Sequence, residues 1–113
     1  MIDRSEVRGF VKRLVREFDP ERVLLFGSYA RGQPTEDSDV DVLVIMEHRK
    51  RRNTDQAIEI DLRLDREFPM DLIVRKPAEI RRRLALGDMF LKSIMEEGKV
   101  LYERRTQRMD RKG

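Results

Sequence analysis

Two short apolar runs, joined by a glycine-bounded turn and a polar loop, constrain this chain more than any other feature. Arg22 to Phe26 reads RVLLF, Gly27 to Gly32 reads GSYARG, and a loop containing Pro34 leads into Asp39 to Met46, DVDVLVIM. Runs of four to eight apolar or β-branched residues bounded by glycine, proline and aspartate are too short for buried helices and have the composition of strands. Two consecutive strands require a sheet, and a sheet of this size needs helices to cover it.

The rest of the sequence supplies them. Val7, Phe10, Val11, Leu14, Val15 and Phe18 recur at helical spacing, so residues 4–18 are predicted to form an amphipathic helix ended by Asp19-Pro20. Gly27 to Gly32 reads as a single helical turn closed by Gly32. Ala57 to Asp65, AIEIDLRLD, alternates strictly like a strand. Ala57, Ile60, Leu64 and Phe68 also lie near one helical face, and helix is the expectation there, ended by Pro69. Met70 to Val74 is a third strand. Pro77 opens a helix to about Leu86. Gly87-Asp88 stops it and caps another from Met89 to Glu97, and Lys99 to Tyr102 is a short last strand. The expected class is α/β (α+β), a mixed three- to four-stranded sheet with helices over one face. Residues 1–103 form one domain, and residues 104–113 are a basic tail expected to be disordered.

Apolar residues make up 39% of the 113 and charged residues 42%, but the apolar ones fall in blocks, which argues against disorder. No apolar run approaches the roughly 20 residues that cross a bilayer. The opening MIDRSEVRGF lacks the apolar core of an export signal, so a cytoplasmic location is expected. The absence of cysteine excludes disulfides and thiolate chemistry. The net charge of +3 is unevenly spread. Arg49, Lys50, Arg51 and Arg52 carry four positive charges and residues 103–113 a net three more, which leaves the remainder at −4. Such patches can meet phosphates but are more often solvated. A nucleic-acid partner is disfavoured, because most of the seven Phe and Tyr residues fall on core faces and leave no stacking platform.

The chemistry lies in acids placed inside apolar strands. Asp39 and Asp41 are two residues apart, so an extended chain points both to one face. Neighbouring carboxylates repel unless one protonates or a cation sits between them. Oxygen-only ligands select Mg²⁺ or Mn²⁺. Asp71 can deliver a third carboxylate from a neighbouring strand. Gly27 and Ser28 begin a helical turn whose free amides suit an anion, Ser28 adds a hydroxyl and Arg31 a fixed positive charge. A Gly-Ser turn alone opens many helices, and an acid alone at a strand end usually faces water. Together, a phosphate cradle and carboxylates able to hold two metal ions describe nucleotidyl transfer.

Gly27-Ser28-Tyr29-Ala30-Arg31-Gly32, followed by Asp37-Ser38-Asp39-Val40-Asp41, resembles the signature of the DNA polymerase beta-like nucleotidyltransferases, and most closely their minimal, single-domain members. The resemblance extends from residue 5 to about 103. It implies that Asp39 and Asp41 bind two Mg²⁺ ions, that Asp71 completes the site near the nucleophile, and that Gly27 and Ser28 hold the triphosphate of ATP. It further implies an antitoxin-type partnership with a helical protein of the HEPN type encoded nearby, AMP being placed on a tyrosine of that toxin within a possible hetero-oligomer. Two alternatives stand beside this: an antitoxin that acts by contact alone, and a transferase acting on a nucleic acid or a small molecule. His48 reads as a solvated loop residue rather than a metal ligand. Tyr102 reads as packing or edge strand, and Met89, Phe90, Ile94 and Met95 as a core or partner-facing stripe.

Overall fold

The computed structural model describes residues 2–105. Helix α1 spans Arg4–Phe18. Asp3 opens it through a reciprocal box: its carboxylate accepts from the Ser5 amide, and its own amide donates to Glu6 at 3.2 Å. Asp19, at φ 49°, closes it in the left-handed conformation just before Pro20. Strand β1 (Arg22–Phe26), helix α2 (Gly27–Ala30) and strand β2 (Val40–Ile45) follow. Then come α3 (Asn53–Arg63), β3 (Met70–Arg75), α4 (Pro77–Ala85), α5 (Met89–Glu97) and β4 (Lys99–Glu103). The strands form one mixed sheet in the order β3-β2-β1-β4. β1 is antiparallel to β2 and β4, whereas β2 and β3 run parallel.

The ambiguous alternating segment is helix. A strand would place Ile58, Ile60, Leu62 and Leu64 on one face. Instead Ile60 and Leu64 are 0% and 4% exposed while Ile58 and Leu62 are 55% and 79% exposed, which is helical spacing. This helix begins four residues earlier than the pattern predicts and ends at Arg63, well before Pro69.

Helices cover both faces of the sheet, not the one face expected. Val23, Val40, Val42, Val44 and Val74 pack with α1 and α3 residues such as Phe10, Leu14 and Ile60. Leu24, Leu43 and Ile45 pack on the other side with Ile80 of α4 and Leu91 and Ile94 of α5. The continuous apolar composition of β2 is the physical sign of a strand buried on both faces.

Among the described residues no helix is long and apolar enough to cross a membrane. The tail expected to be disordered lies, from residue 106 onward, outside the described residues. Arg104 is tied to the α1–β1 junction: its amide donates to the Glu21 carbonyl at 2.8 Å, and its guanidinium meets the Asp19 carboxylate at 3.3 Å.

Candidate active site

Alternation along β2 decides which face receives the acids. Val40, Val42 and Val44 enter the core under α1 and α3, so Asp41, Leu43 and Ile45 face α4 and α5. Leu43 and Ile45 are covered there. Asp41, one pleat earlier, lies at the margin of that cover and is half-buried. The register places Asp41 opposite Asp71 on parallel β3 and opposite Phe26 on β1. Asp39 precedes β2 by one residue and, like Asp71, is exposed.

These groups share one electrostatic field. Burial pushes the Asp41 carboxyl above its usual range, the charges of Asp71 and Asp39 push it further, and Arg31 opposes them. Among the described residues, no three acidic, histidine or cysteine side chains converge as a ready cation cage. Asp39, Asp41 and Asp71 are electrostatic neighbours at the start of β2 and β3.

Gly27 has a role its sequence context did not suggest. It adopts φ 75°, and a Cβ there would overlap the Asp41 carboxylate, with Cγ at 3.1 Å. The missing side chain makes room for an acid of the chain itself, in addition to any ligand. Gly27 begins α2, whose N-cap Phe26 supplies no side-chain acceptor, so the first-turn amides have no capping partner. Among the described residues the Ser28 hydroxyl makes no hydrogen bond, while the Ser28 carbonyl accepts from the Gln33 amide at 3.0 Å. Arg31 follows α2 and is exposed.

Beside this turn is a cavity of about 240 Å³, lined by Gly27 and Arg31 on one side and by Phe90, Ser93 and Glu97 of α5 on the other. Phe26 and Phe90, both in its wall, meet edge to face with centroids 5.7 Å apart. The sequence pattern places Phe90 in an apolar stripe with Ile94, yet it is 51% exposed. Only the docking of α5 against β1 reveals its position. His48 is a half-buried loop residue held by hydrogen bonds: its Nε2 pairs with Asn53 at 2.8 Å, and its Nδ1 accepts from the Lys50 amide at 3.2 Å. The basic loop is partly neutralised, since Lys50 meets Glu59 and Arg52 meets Asp55. Tyr102 packs against the α1 side of the core from edge strand β4, as expected.

The profile of the nucleotidyltransferase domain family matches residues 4–101. The chain belongs to that family. A "putative protein adenylyltransferase" of Methanocaldococcus jannaschii is 28% identical over 104 residues, covering 90% of this chain and all of the relative. A second protein of that description from the same organism is 32% identical over 78 residues, covering 64% of this chain and 78% of its own. Among solved structures, a "putative nucleotidyltransferase" of Sulfolobus solfataricus superposes with a TM-score of 0.62 at 24% identity, covering 88% of this chain and 79% of its own. A toxin–antitoxin crystallised with AMP-PNP superposes at 0.51 and 24% identity, over 91% of this chain and 77% of the other. At that identity the structural likenesses support the fold. This nucleotidyltransferase therefore keeps its acids, its Gly-Ser turn and its α5 cavity at one end of the sheet.

Proposed function

We propose that this nucleotidyltransferase is a Mg²⁺-dependent protein adenylyltransferase of the cytoplasm, moving AMP from ATP to a tyrosine hydroxyl of a HEPN-type toxin and so acting as its antitoxin. The observation that carries the reading is the packing of Asp41 against Gly27 at the uncapped start of α2, with Asp71 in register beside it on β3 and Asp39 two residues before it. The relatives described as protein adenylyltransferases and the toxin–antitoxin neighbours support the choice of acceptor.

Asp39, Asp41 and Asp71 offer only carboxylate oxygen, the donor set that Mg²⁺ prefers, and their mutual repulsion is relieved by a divalent cation. When bound, two such ions supply a lowered pKa at the acceptor hydroxyl and neutralisation of the departing pyrophosphate. The rest falls to the chain. The α2 amides and the Ser28 hydroxyl bind the phosphates, and Arg31 adds positive charge beside them. The cavity that Gly27, Arg31 and the contacting Phe26–Phe90 pair line receives the base, within reach of Ser93 and Glu97. Asp71, exposed on β3, faces the open side from which an acceptor arrives. The acceptor oxygen bonds to the α-phosphorus, the bond to pyrophosphate breaks, and the hydroxyl proton is released. A phenol with an ordinary pKa near 10 needs such assistance.

The test is to incubate the purified chain with the helical product of the adjacent gene, ATP and Mg²⁺, and to weigh both proteins by intact mass spectrometry. The expected result is one or more AMP increments on the partner, absent with Asp41→Asn. A partner that stays unmodified yet is inhibited within a stable complex would replace transfer by inhibition through contact.

A further inference from the structure

A second concavity, larger than the one beside the acids, lies elsewhere on the described residues. A groove of about 630 Å³ runs between α1 and the β1–β4 side of the sheet, on the face opposite Asp41. Valine and leucine side chains of α1, β1 and β4, with Ile2 ahead of α1, form most of its walls, and Val100 there is 50% exposed on an edge strand. Its charged lining is entirely cationic: Arg4, Arg8 and Lys12 from α1, and Lys99 from β4. In a chain with 22 acidic residues, none contributes to this lining. Arg8 feels the Asp3 carboxylate at the helix start, but none of the four makes an ion pair among the described residues.

Arg4, Arg8 and Lys12 are spaced four apart, so they stand on successive turns and span about 12 Å along one side of the groove. An apolar trough with a cationic rail of helical period is complementary to an amphipathic helix bearing acids at the same period. A nucleic-acid backbone would gain nothing from the aliphatic walls. Residues 106–113, with three cations and one acid, carry the wrong sign to fill the groove. Tyr29 of α2 closes one end, where its hydroxyl accepts from the Ile2 amide at 3.1 Å. The groove therefore abuts the element that carries Ser28 while leaving the acids free on the other face.

We infer that this groove is the docking surface for an acidic amphipathic helix of the protein that the enzyme modifies. The inference rests on the proposed protein acceptor. It separates holding the partner from reacting with it: α1 and β4 grip one segment, while the acids act on another.

The experiment measures binding of the adjacent gene's helical product by isothermal titration, and AMP transfer to it across a range of partner concentrations. The variants are Arg4→Glu/Arg8→Glu/Lys12→Glu, Val100→Asp, and the control Arg81→Glu/Arg82→Glu on exposed positions of α4. The groove variants should raise Kd about tenfold or more, with a matching rise in KM and an unchanged rate at saturation. The triple variant should also lose most of the salt dependence of binding. The control should bind as the parent does, and circular dichroism should show all of them folded. Undiminished binding by both groove variants would overturn the docking surface while leaving adenylylation intact. Normal, groove-dependent binding without AMP transfer would do the reverse. A partner that fails to bind the parent chain would overturn both. Two further results would overturn the assigned occupant: a homodimer of the parent that the triple variant dissolves, or groove-dependent binding of a mixed-sequence RNA oligonucleotide.

Discussion

Replacing Gly27 by alanine isolates the contact on which the site is built. The residue sits at φ 75°, where an L side chain costs about 1–2 kcal/mol. The added Cβ also overlaps the Asp41 carboxylate, which must leave its rotamer at a further 0.5–1.5 kcal/mol or so. Gly32 is the internal control: it has φ 74°, but nothing lies within 4 Å of the Cβ it would gain. Gly32→Ala should therefore show the backbone cost alone. At about 4 °C per kcal/mol for a domain of this size, its melting temperature should fall by about 4–8 °C, and that of Gly27→Ala by about 6–14 °C. Differential scanning calorimetry of metal-free protein makes the measurement. A double-mutant cycle with Asp41→Ala completes it, because removing the carboxylate should return Gly27→Ala to the cost of Gly32→Ala. Gly27→Ala should also abolish transfer, since the displaced carboxylate is one of the proposed metal ligands. Equal losses for the two glycine variants, with no coupling to Asp41, would refute the claim that Gly27 exists to admit that carboxylate.

Asp41→Asn should eliminate AMP transfer while stabilising the metal-free protein by up to about 1 kcal/mol, because it removes the burial cost of the charge and, second, the screened repulsion from Asp71 and Asp39. Because the folded Asp41 pKa is raised, this gain should be full above the folded value and vanish as pH falls below the unfolded value of 3.8, so thermal melts should show a larger gain at pH 7 than at pH 3.5. Ser28→Ala should weaken Mg-ATP binding about fivefold in titration calorimetry, the loss of one hydrogen bond of about 1 kcal/mol. Glu79 behaves oppositely to Asp41. Burial pushes its pKa up, but hydrogen bonds from Asn53 and the Lys76 amide, with Arg75 and Arg83, outweigh burial and hold it low. Its contribution is present above the unfolded value near 4.5 and is lost as pH falls through the folded one. Asn53→Ala should accordingly lower the melting temperature at pH 6, and the gap to the parent should narrow by pH 3.

Most of the architecture could be read from local patterns. The bounds of α1, β1 and α5 coincide with the predicted ones, because each has a stop or cap of its own: Asp3 and Asp19-Pro20, the Gly27 turn, Asp88 and Gly98. The Gly-Ser turn and the Asp-x-Asp pair were visible for the same reason. Their chemistry depends on spacing along one strand and one turn, which backbone geometry enforces without tertiary help. Asp71 needed more. Its place beside Asp41 depends on the parallel register of β2 and β3, set by α3 and the loops between them, and no local rule supplies that. Alternation in residues 57–65 satisfied both periods, and only burial of Ile60 and Leu64 over the sheet selected helix. The sequence by itself determined which residues are the candidates proposed for the chemistry and on which short elements they lie, because propensity, capping and the two-residue pleat act over a few neighbouring residues. Tertiary structure alone decided that both sheet faces are covered, that Gly27 yields its space to Asp41, that Phe90 meets Phe26, and that three cations of α1 overhang an apolar groove. Each of these joins residues distant in the chain through packing, and packing is a property of surfaces that exist only once the chain has folded.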